Sequence, residues 1–488
     1  MSRSKTIPRP LRYAAIVSAC AMLTATLVSQ PAIGVGSAHT DTAPPTPCAP
    51  PTAPGPPPLT PTTATTIEQA YYCVFAHYYN AAALDDRPLL DGAFAGLTQS
   101  LDHLGIDQPD ATAPALTGNR EQDWTAFAAI YQQIVDQLPT DPNLRQQVAS
   151  ATMQGMIAAL DDNHAGWSRP VMPPGFQPGD QYGIGLVTSP TGPLLSGAPA
   201  EARPPLFVSA VLGGPAAAQG LRPGDVIDSV DGQAPFVDGV PSPGVEALLD
   251  QRYPQSDRVQ LKVHRPADGR SWTVTLKPEL YPMSAAANQP VSASLLSDHI
   301  ADVQLHSFLP GAADTVLADV ARMRAGGTLN GLVLDLRGNG GGDVEEVSRL
   351  LGAFKHQGIW SFDCDSPDTC DIPHRTDDTV PLLGIPLVVL TDRGCASACD
   401  AFSGAVKDLR LGRIVGTRTA GVVAGPAAGF VLDDGSFLGL PAGHELGADH
   451  EMLNGIGVAP DDYQLTTPAD LSTGHDHVLA EAVRLLGH

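Results

Sequence analysis

The sequence predicts a multidomain α/β protein, and three observations lead to that prediction. The chain has 488 residues, which is more than a single hydrophobic core usually holds. Apolar residues recur at spacings of three and four over residues 66–168, which predicts a helical N-terminal domain. Over residues 283–488, apolar strand-like runs alternate with helical patterns, which predicts an α/β layer structure with mostly parallel strands.

The first 38 residues predict a secretory signal rather than a folded segment. Four basic residues precede an apolar run from Tyr13 to Val28, and small residues follow up to Ala38. A retained membrane anchor is one alternative, although the run is short for a bilayer span. Acylation of Cys20, as in a lipoprotein, is another. We therefore expect a secreted or envelope-associated protein from which residues 1–38 are removed.

Residues 39–65 are dominated by proline, threonine and alanine. This composition forms an extended linker and does not pack a core, so the segment is expected to hold the folded part away from the cell envelope. The whole chain is acidic, with 28 Lys and Arg against 52 Asp and Glu. Such a charge repels nucleic acids and anionic membranes, so neither is expected as a partner.

Six cysteines remain after the predicted signal, and an even number in an exported chain favours disulfides over metal ligands. Their spacing allows local pairs Cys364–Cys370 and Cys395–Cys399, which leaves Cys48–Cys73. Sequence alone permits fifteen pairings of six cysteines, so other pairings stay open. No His/Cys cluster has zinc-ligand spacing, and we expect neither a metal nor another cofactor.

Residues 180–282 contain short β-rich runs between glycine turns, which predict a compact β-domain. The segment GPAAAQGLRPGDVIDSVDG, together with GIGL at residues 183–186, resembles a PDZ domain. The resemblance implies that the N–H groups of Ile184, Gly185 and Leu186 bind the terminal carboxylate of a peptide. The peptide would add as a strand to the sheet edge. The alternative is a scaffolding β-domain without a ligand.

The segment PLVVLTDRGCASACDAFSGAV carries the clearest chemical signal. A buried strand runs into a turn of small residues and then directly into a helix, with Ser397 at the turn. Helix N-terminal N–H groups favour developing negative charge beside such a side chain. A serine at this place also suits a simple helix N-cap, so the position alone does not establish a nucleophile.

This segment resembles the nucleophile region of the carboxy-terminal-processing peptidases, a family that includes tail-specific proteases and the tricorn core. Its pattern there is G-x-A-S-A-x-E. Three further segments agree in the same order: DHIADVQLHSF, LVLDLRGNGGG and NGIGVAPDD. The resemblance covers residues 66–488. It implies a crotonase-like α/β catalytic core, an N-terminal helical domain and an inserted PDZ-like domain.

The resemblance also implies an oxyanion-binding site. The glycines of GNGGG allow close backbone approach, and the match assigns one N–H donor to Gly341 and the other to Ala398. A phosphate-binding loop is the rival interpretation of these glycines. It fails because no Lys-Ser/Thr pair follows them, and the G-x-G-x-x-G spacing of a dinucleotide site is absent.

The general base is harder to place. Many family members use a lysine in T-x-G-K-G, but here that position is Val422, and Lys407 lies far along the helix that follows Ser397. Another branch uses a histidine at the end of the helical domain. LDDNHAGW resembles its L-x-D-x-H segment, which implies that His164 takes the Ser397 proton.

The third catalytic residue stays open. In the histidine branch, a glutamate stands three residues before the glycine of G-V-x-P-D, and here that position is Asn454. An asparagine can orient a histidine but cannot stabilise imidazolium by charge. Glu451, Asp161 and Asp162 are the alternatives.

We therefore expect an extracytoplasmic serine-type endopeptidase that uses Ser–His chemistry and takes polypeptides, selected through their C-termini, as partners. The missing lysine and Asn454 motivate a rival hypothesis, a non-catalytic peptide- or ligand-binding protein on the same scaffold. A hydrolase of small esters or lactones is a further alternative. A cysteine nucleophile at Cys395 or Cys399 is a weaker hypothesis than a disulfide between them. The oligomeric state and the physiological substrate stay open.

Overall fold

A computed structural model describes residues 48–51, 58–188, 204–283, 289–365, 369–425 and 427–487. The predicted signal of residues 1–38, with its acylation alternative at Cys20, lies outside these residues. Within the described ranges, none of the helices combines the length and the apolar character that crossing a bilayer requires.

Four consecutive helices open the described fold. They are α1 (Ala64–His77), α2 (Asp86–His103), α3 (Arg120–Gln137) and α4 (Pro142–Ala158). Each begins at a residue whose side-chain oxygen accepts an N–H of the first turn, an interaction that stabilises a helix by about 1 kcal/mol. Helices α2 and α4 cross at Gly92, Gly96 and Gly155, where a Cβ would collide with the facing backbone. Helix α4 ends at Ala158, just before the loop that carries His164.

Short strands and two short helices follow. They are β1 (Gly166–Ser168), β2 (Asp180–Gly183), β3 (Leu186–Thr188), β4 (Val208–Val211), α5 (Gly214–Ala218), β5 (Val226–Val230), β6 (Phe236–Val237), β7 (Val240–Pro241), α6 (Pro243–Leu249), β8 (Val259–Arg265), β9 (Arg270–Leu276) and β10 (Glu279–Pro282). From β2 to β10 the strands pair antiparallel in small sheets: β10-β2, β3-β4, β5-β8-β9 and β6-β7. Their apolar side chains form one separate core, in which Ile184, Val208, Val245 and Leu261 are buried.

The rest of the chain alternates strands and helices. The elements are β11 (Val291–Leu295), β12 (Ile300–Leu305), α7 (Ala312–Ala325), β13 (Gly331–Asp335), α8 (Val344–Gly352), β14 (Ile359–Cys364), β15 (Ile372–Arg375), β16 (Leu387–Thr391), α9 (Ala398–Asp408), β17 (Gly412–Gly416), β18 (Ala427–Val431), β19 (Phe437–Pro441), β20 (His444–Gly447), β21 (Asp462–Tyr463), α10 (Pro468–Thr473) and α11 (His477–Leu486). The expected multidomain α/β fold is confirmed.

A six-stranded sheet of order β11-β12-β13-β16-β17-β21 forms the centre of this part. Only β11 is antiparallel to its neighbour. Helices α7, α8 and α9 cover one face, and α11 covers the other. Strands β13 and β16 are parallel neighbours, so the loops that follow their carboxyl ends, residues 336–343 and 392–397, lie side by side.

The hairpin β18–β19 has the tight Asp-Gly turn that the sequence predicts, with Gly435 at a φ of 80°. Its apolar residues, Phe430, Leu432, Leu438 and Leu440, are buried among the four N-terminal helices, and β1 pairs with β19. Residues 427–441 therefore complete the helical core. This differs from the expected separation of residues 66–168 from residues 283–488, because helices with a wide apolar face still need a sheet to cover it.

The described parts of residues 39–65 also lie against the fold rather than free of it. Cys48 is bonded to Cys73 of α1, and Ala49 forms a β-bridge with Val431. The Thr62 hydroxyl donates to the buried carboxylate of Asp434 at 2.5 Å. The expectation of an unattached linker is therefore wrong for these residues, because a disulfide and buried hydrogen bonds replace the apolar contacts that the composition lacks.

The three disulfides have the pairing that the spacing favoured, and that prediction is confirmed. They join Cys48 to Cys73, Cys364 to Cys370 and Cys395 to Cys399. The last two close loops of only a few residues, so by loop-closure entropy each stabilises the fold by roughly 2 kcal/mol.

Candidate active site

Ser397 occupies the turn between β16 and α9 in an unusual backbone conformation. Its φ is 57° and its ψ is −122°, a region that residues with a Cβ rarely adopt. The Ser397 N–H donates to the Val422 carbonyl at 2.7 Å and to Asp400 Oδ2 at 3.1 Å. Strained residues of this kind persist only where the surroundings hold them, and they concentrate at functional sites.

The Asp400 carboxylate provides most of that hold. It is fully buried and accepts the Gly421 N–H on Oδ1 at 2.9 Å and the Val422 N–H on Oδ2 at 3.0 Å, in addition to the Ser397 N–H. Burial raises the pKa of Asp400 to about 6, and these hydrogen bonds oppose the rise. The group is therefore ionised at neutral pH. Asp400 occupies the acid position of the A-S-A-x-E pattern, which was the available sequence signal for it.

The glycine loop after β13 lies directly against this turn. Gly341 has a φ of 99°, and a Cβ on it would lie 2.7 Å from Ser397 Cβ and 2.9 Å from the Ala398 nitrogen. No larger residue fits there without moving the nucleophile turn. The structure thus brings together Ser397, Gly341 and Ala398, as the resemblance implied.

The two expected oxyanion donors are in different states. The Ala398 N–H belongs to the first residue of α9, so it has no acceptor within its helix. The Gly341 N–H donates to Asn339 Oδ1 at 2.8 Å, and Asn339 Nδ2 donates to the Leu305 carbonyl at 2.9 Å. In the structure, the Gly341 N–H is therefore occupied by a buried amide oxygen.

The position of the family lysine holds a hydrocarbon side chain. Val422 is fully buried and packs with Ala396 and Ala420. Lys407 lies near the other end of α9, where its ammonium group donates to the Ala459 carbonyl at 2.8 Å. Neither residue is placed to take a proton from Ser397.

His164 lies in the loop between α4 and β1. Its backbone N–H donates to Asp162 Oδ1 at 2.9 Å, and its Nδ1 lies 2.7 Å from Asn163 Oδ1. Because an amide oxygen can only accept, this contact assigns the ring proton to Nδ1 and leaves the Nε2 lone pair for a proton. Burial lowers the pKa of His164, and the charge of Asp162 opposes that shift.

Asn454 reaches this histidine through Asn163 rather than by contacting the ring. Asn163 Nδ2 donates to Asn454 Oδ1 at 2.7 Å, and the Val423 N–H donates to the same oxygen at 3.1 Å. The histidine loop is thereby tied to the segment that also holds Ser397. Within the described residues, no hydrogen bond joins His164 to the Ser397 hydroxyl.

The residue that contacts the His164 ring is Asn163, which the sequence did not suggest as the third catalytic residue. Asn163 contacts the ring of His164, and no spacing pattern marks an immediate chain neighbour as its partner. Asp162 binds the His164 backbone and the Tyr78 hydroxyl, while Glu451 accepts the Asp449 N–H. No hydrogen bond links Asp161, Asp162 or Glu451 to the histidine ring within the described part of the chain.

The candidate carboxylate-binding loop joins β2 to β3. The Leu212 N–H donates to the Gly185 carbonyl at 2.9 Å, which makes Leu186 and Val211 a non-hydrogen-bonded pair. The Leu186 N–H therefore points away from β4, toward a strand edge that has no partner strand among the described residues. Ile184 and Gly185 precede it in the same turn, with Gly185 at a φ of 83°.

Two groups of neighbouring cysteine and histidine atoms are found in the described residues. They are Cys48, Cys73 and His77, and Cys364, Cys370 and His444. Each contains a disulfide, whose sulfurs are not the thiolates that bind zinc. These groups are therefore not candidate metal sites.

The pKa shifts of His164 and Asp400 predict how the reactivity of the Ser397 hydroxyl depends on pH. In this assignment, His164 must be neutral to take the proton, and ionised Asp400 holds the turn. Burial lowers the pKa of His164 and raises that of Asp400 to about 6, so both conditions hold at pH 7 and each is lost as the pH falls. We expect the rate of reaction with a fluorophosphonate to be level near pH 7 and to fall below about pH 6. A pH–rate profile, with circular dichroism to confirm folding at each pH, measures this. An inflection above pH 7 would contradict the assignment.

Comparisons with known proteins agree with this geometry. Residues 299–463 match peptidase family S41. The chain is 28% identical over 324 residues to carboxyl-terminal-processing peptidase 2 of Arabidopsis thaliana, a match that covers 65% of this chain and 61% of that one. It is 25% identical over 347 residues to a carboxyl-terminal-processing protease of Synechocystis, covering 68% of this chain and 76% of the relative.

Two solved structures share the fold. The photosystem II D1 C-terminal processing protease covers 87% of this chain and 97% of its own, with a TM-score of 0.51 and 24% identity. Mature CPAF covers 82% and 98%, with a TM-score of 0.50 and 15% identity.

The chain spans about three fifths of the length of its Arabidopsis relative. The comparison therefore applies to the matched part and not to the whole protein. The segment that matches contains the glycine loop, the nucleophile turn and the closing G-V-x-P-D motif. Residues 299–463 thus match peptidase family S41, and the chain is similar to carboxyl-terminal-processing peptidases.

Proposed function

We propose that the protein is an exported serine endopeptidase with Ser397 as nucleophile and His164 as general base. One observation carries the proposal: strained Ser397 lies against Gly341 and the Ala398 N–H, where a nucleophile and an oxyanion donor must meet. Asp400 and Asn454 link this turn to the histidine loop through hydrogen bonds.

The reaction proceeds through an acyl-enzyme. Ser397 Oγ bonds to the peptide carbonyl carbon while its proton passes to His164 Nε2. The C–N bond then breaks, and the same proton leaves on the amine. Water repeats the sequence at the ester, again through His164, and releases the acid and the free serine.

Asn163 orients His164 but carries no charge. It fixes the tautomer with the lone pair on Nε2, as the asparagine of Cys-His-Asn sites does. An imidazolium formed there has no anion hydrogen-bonded to its ring among the described residues. Asp162 lies close enough to raise the pKa of His164, although burial outweighs it. The site therefore works with a base that is neutral at neutral pH.

The oxyanion is bound by two N–H groups in this proposal. Ala398 supplies one directly, and Gly341 supplies the other by turning its hydrogen from Asn339 Oδ1 to the substrate oxygen. Catalytic hydrogen bonds are often incomplete before substrate binds, which is compatible with this arrangement. An oxyanion is a stronger acceptor than an amide oxygen, so the exchange is favourable in the transition state.

We also propose the domain roles and the location. Residues 180–282 act as a PDZ-like domain that selects substrates by their C-termini, inserted between the helices and a crotonase-like core. The Leu186 N–H supports this role, because it points away from β4 toward an edge with no partner strand among the described residues. The signal-like N-terminus and three disulfides support action outside the cytoplasm.

Fluorophosphonate labelling tests the catalytic proposal. We expect the intact chain to be labelled at Ser397, Ser397→Ala to abolish labelling, and His164→Ala to slow it by about 10²- to 10⁴-fold. His103→Ala, which changes an exposed histidine at the end of α2, serves as the control and should label at the wild-type rate.

Each alternative has its own outcome in that experiment. A folded wild type that is not labelled would support a non-catalytic binding protein. Labelling together with hydrolysis of small esters, but of no peptide, would indicate an esterase. Labelling that survives Ser397→Ala would mean that another residue is the nucleophile.

Peptide binding tests the proposed role of residues 180–282. With Ser397→Ala to prevent cleavage, a peptide with a free C-terminus should bind at least about tenfold more tightly than its C-terminal amide. The reason is that the N–H groups of Ile184, Gly185 and Leu186 pair with a carboxylate. Fluorescence anisotropy measures both affinities. Equal affinities would contradict selection through the terminal carboxylate.

A further inference from the structure

The Cys395–Cys399 disulfide spans Ser397, which is separated from each cysteine by one residue. The Cα atoms of the two cysteines are 5.2 Å apart, and both side chains are fully buried. Cys395 lies in the segment between β16 and α9, two residues before Ser397. Cys399 is the second residue of α9. The covalent link therefore encloses Ala396, Ser397 and Ala398.

The residues enclosed by this bond are those whose position the chemistry needs. Ser397 holds a positive φ that costs free energy, and such a residue relaxes unless several constraints act on it. The Ala398 N–H must keep its position beside Gly341. Both requirements concern a segment of three residues, and the disulfide limits the separation of its two ends.

Besides the contact with Asp400, three hydrogen bonds join this turn to loops distant in the chain. The Ala396 N–H donates to the Asn339 carbonyl at 2.9 Å, the Ser397 N–H to Val422 at 2.7 Å, and the Ala420 N–H to the Cys395 carbonyl at 2.8 Å. All three bonds depend on the placement of other loops. The disulfide acts within the turn itself, alongside a Cys399 N–H to Ala396 carbonyl bond of 3.0 Å.

We propose that this disulfide is a positioning element of the active site, and that Ser397 becomes fully reactive only when Cys395 and Cys399 are oxidised. The inference rests on the proposed function and deepens it with a form of regulation. Without the bond, the turn relaxes toward an ordinary helix N-terminus, and Ser397 Oγ and the Ala398 N–H leave their common geometry. A displacement of about 1 Å in such a site can cost on the order of 100-fold in rate.

The consequence is a chain that stays inactive until it leaves a reducing compartment. There the two cysteines remain thiols. Outside it, a disulfide oxidant RSSR accepts two electrons: one cysteine thiolate attacks it and expels RS⁻, and the second thiolate attacks the mixed disulfide and expels another. The Cys395–Cys399 bond forms, the oxidant is reduced to two thiols, and these take the two cysteine protons.

The chain offers a matched control in Cys364–Cys370. That bond also closes a short loop, with a separation of 6 residues against 4, so loop-closure entropy assigns both a similar effect on stability. Its sulfurs contact the Phe362 carbonyl and His444, which are not part of the proposed active site. A purely structural role would make the two pairs behave alike.

The experiment compares Cys395→Ala/Cys399→Ala with Cys364→Ala/Cys370→Ala in the full chain, purified oxidised. Thermal unfolding, the rate of fluorophosphonate labelling, and kcat and KM on a peptide are measured for each. We expect the first variant to lose about 100-fold in labelling rate and kcat, with KM changed by less than about threefold. The second should keep wild-type kinetics and show a similar change in unfolding temperature.

A second measurement applies where the alanine variant does not fold. Wild type is reduced with dithiothreitol, and one portion is alkylated so that mass spectrometry identifies the free thiols. Glutathione disulfide then reoxidises the portion that was not alkylated. Labelling should fall when Cys395 and Cys399 are free and return when they are bonded. Unchanged labelling with both thiols free, or equal losses in the two alanine variants, would overturn the inference. Failure of oxidised wild type to label would instead overturn the proposed function.

Discussion

The buried Asp400 carboxylate is the interaction on which the candidate site depends. It accepts three backbone N–H groups, from Ser397 in the nucleophile turn and from Gly421 and Val422 in the loop that follows β17. The Ser397 N–H also donates to the Val422 carbonyl, but without the carboxylate the buried N–H groups of Gly421 and Val422 would lose their acceptor at a cost of roughly 1–3 kcal/mol each. The same loop continues to Val423, whose N–H binds Asn454 and so reaches the histidine segment. The Asp400 carboxylate thus connects the turn that carries Ser397 to the loop that binds Asn454.

A second constraint comes from the sheet. Parallel pairing of β13 with β16 places two loops side by side, and Asp392 Oδ1 accepts the N–H of Gly338 from one and of Gly394 from the other, both at 2.8 Å. Glycine is needed where the loops touch, because a Cβ on Gly394 would lie 2.7 Å from the Gly338 Cα. The parallel pairing of β13 with β16 therefore brings the glycine loop close to the turn that carries Ser397. The orientation of the Gly341 N–H, by contrast, depends on a side chain, because this group donates to Asn339 Oδ1.

The sequence predicted those features that depend on local pattern. The strand–turn–helix around Ser397, the glycine loop and the two short-range disulfides all have signals within a few residues. What it did not predict depends on packing between distant segments. The apolar pattern of the β18–β19 hairpin does not indicate which core the hairpin packs against. Its position among the helices could therefore not be predicted from the sequence. Asn163 became a partner of His164 through loop conformation, and the Asn339 contact to Gly341 arises in the same way.

The central claim is that Ser397, Ala398 and Gly341 form one reaction centre with His164. A crystal structure of the chain after reaction with a fluorophosphonate tests it most directly. The account predicts phosphorus bonded to Ser397 Oγ, a phosphonyl oxygen within hydrogen-bond distance of the Ala398 and Gly341 nitrogens, and His164 Nε2 facing Ser397 Oγ. Phosphorus on another residue, or an adduct whose oxygen points away from both nitrogens, would contradict it.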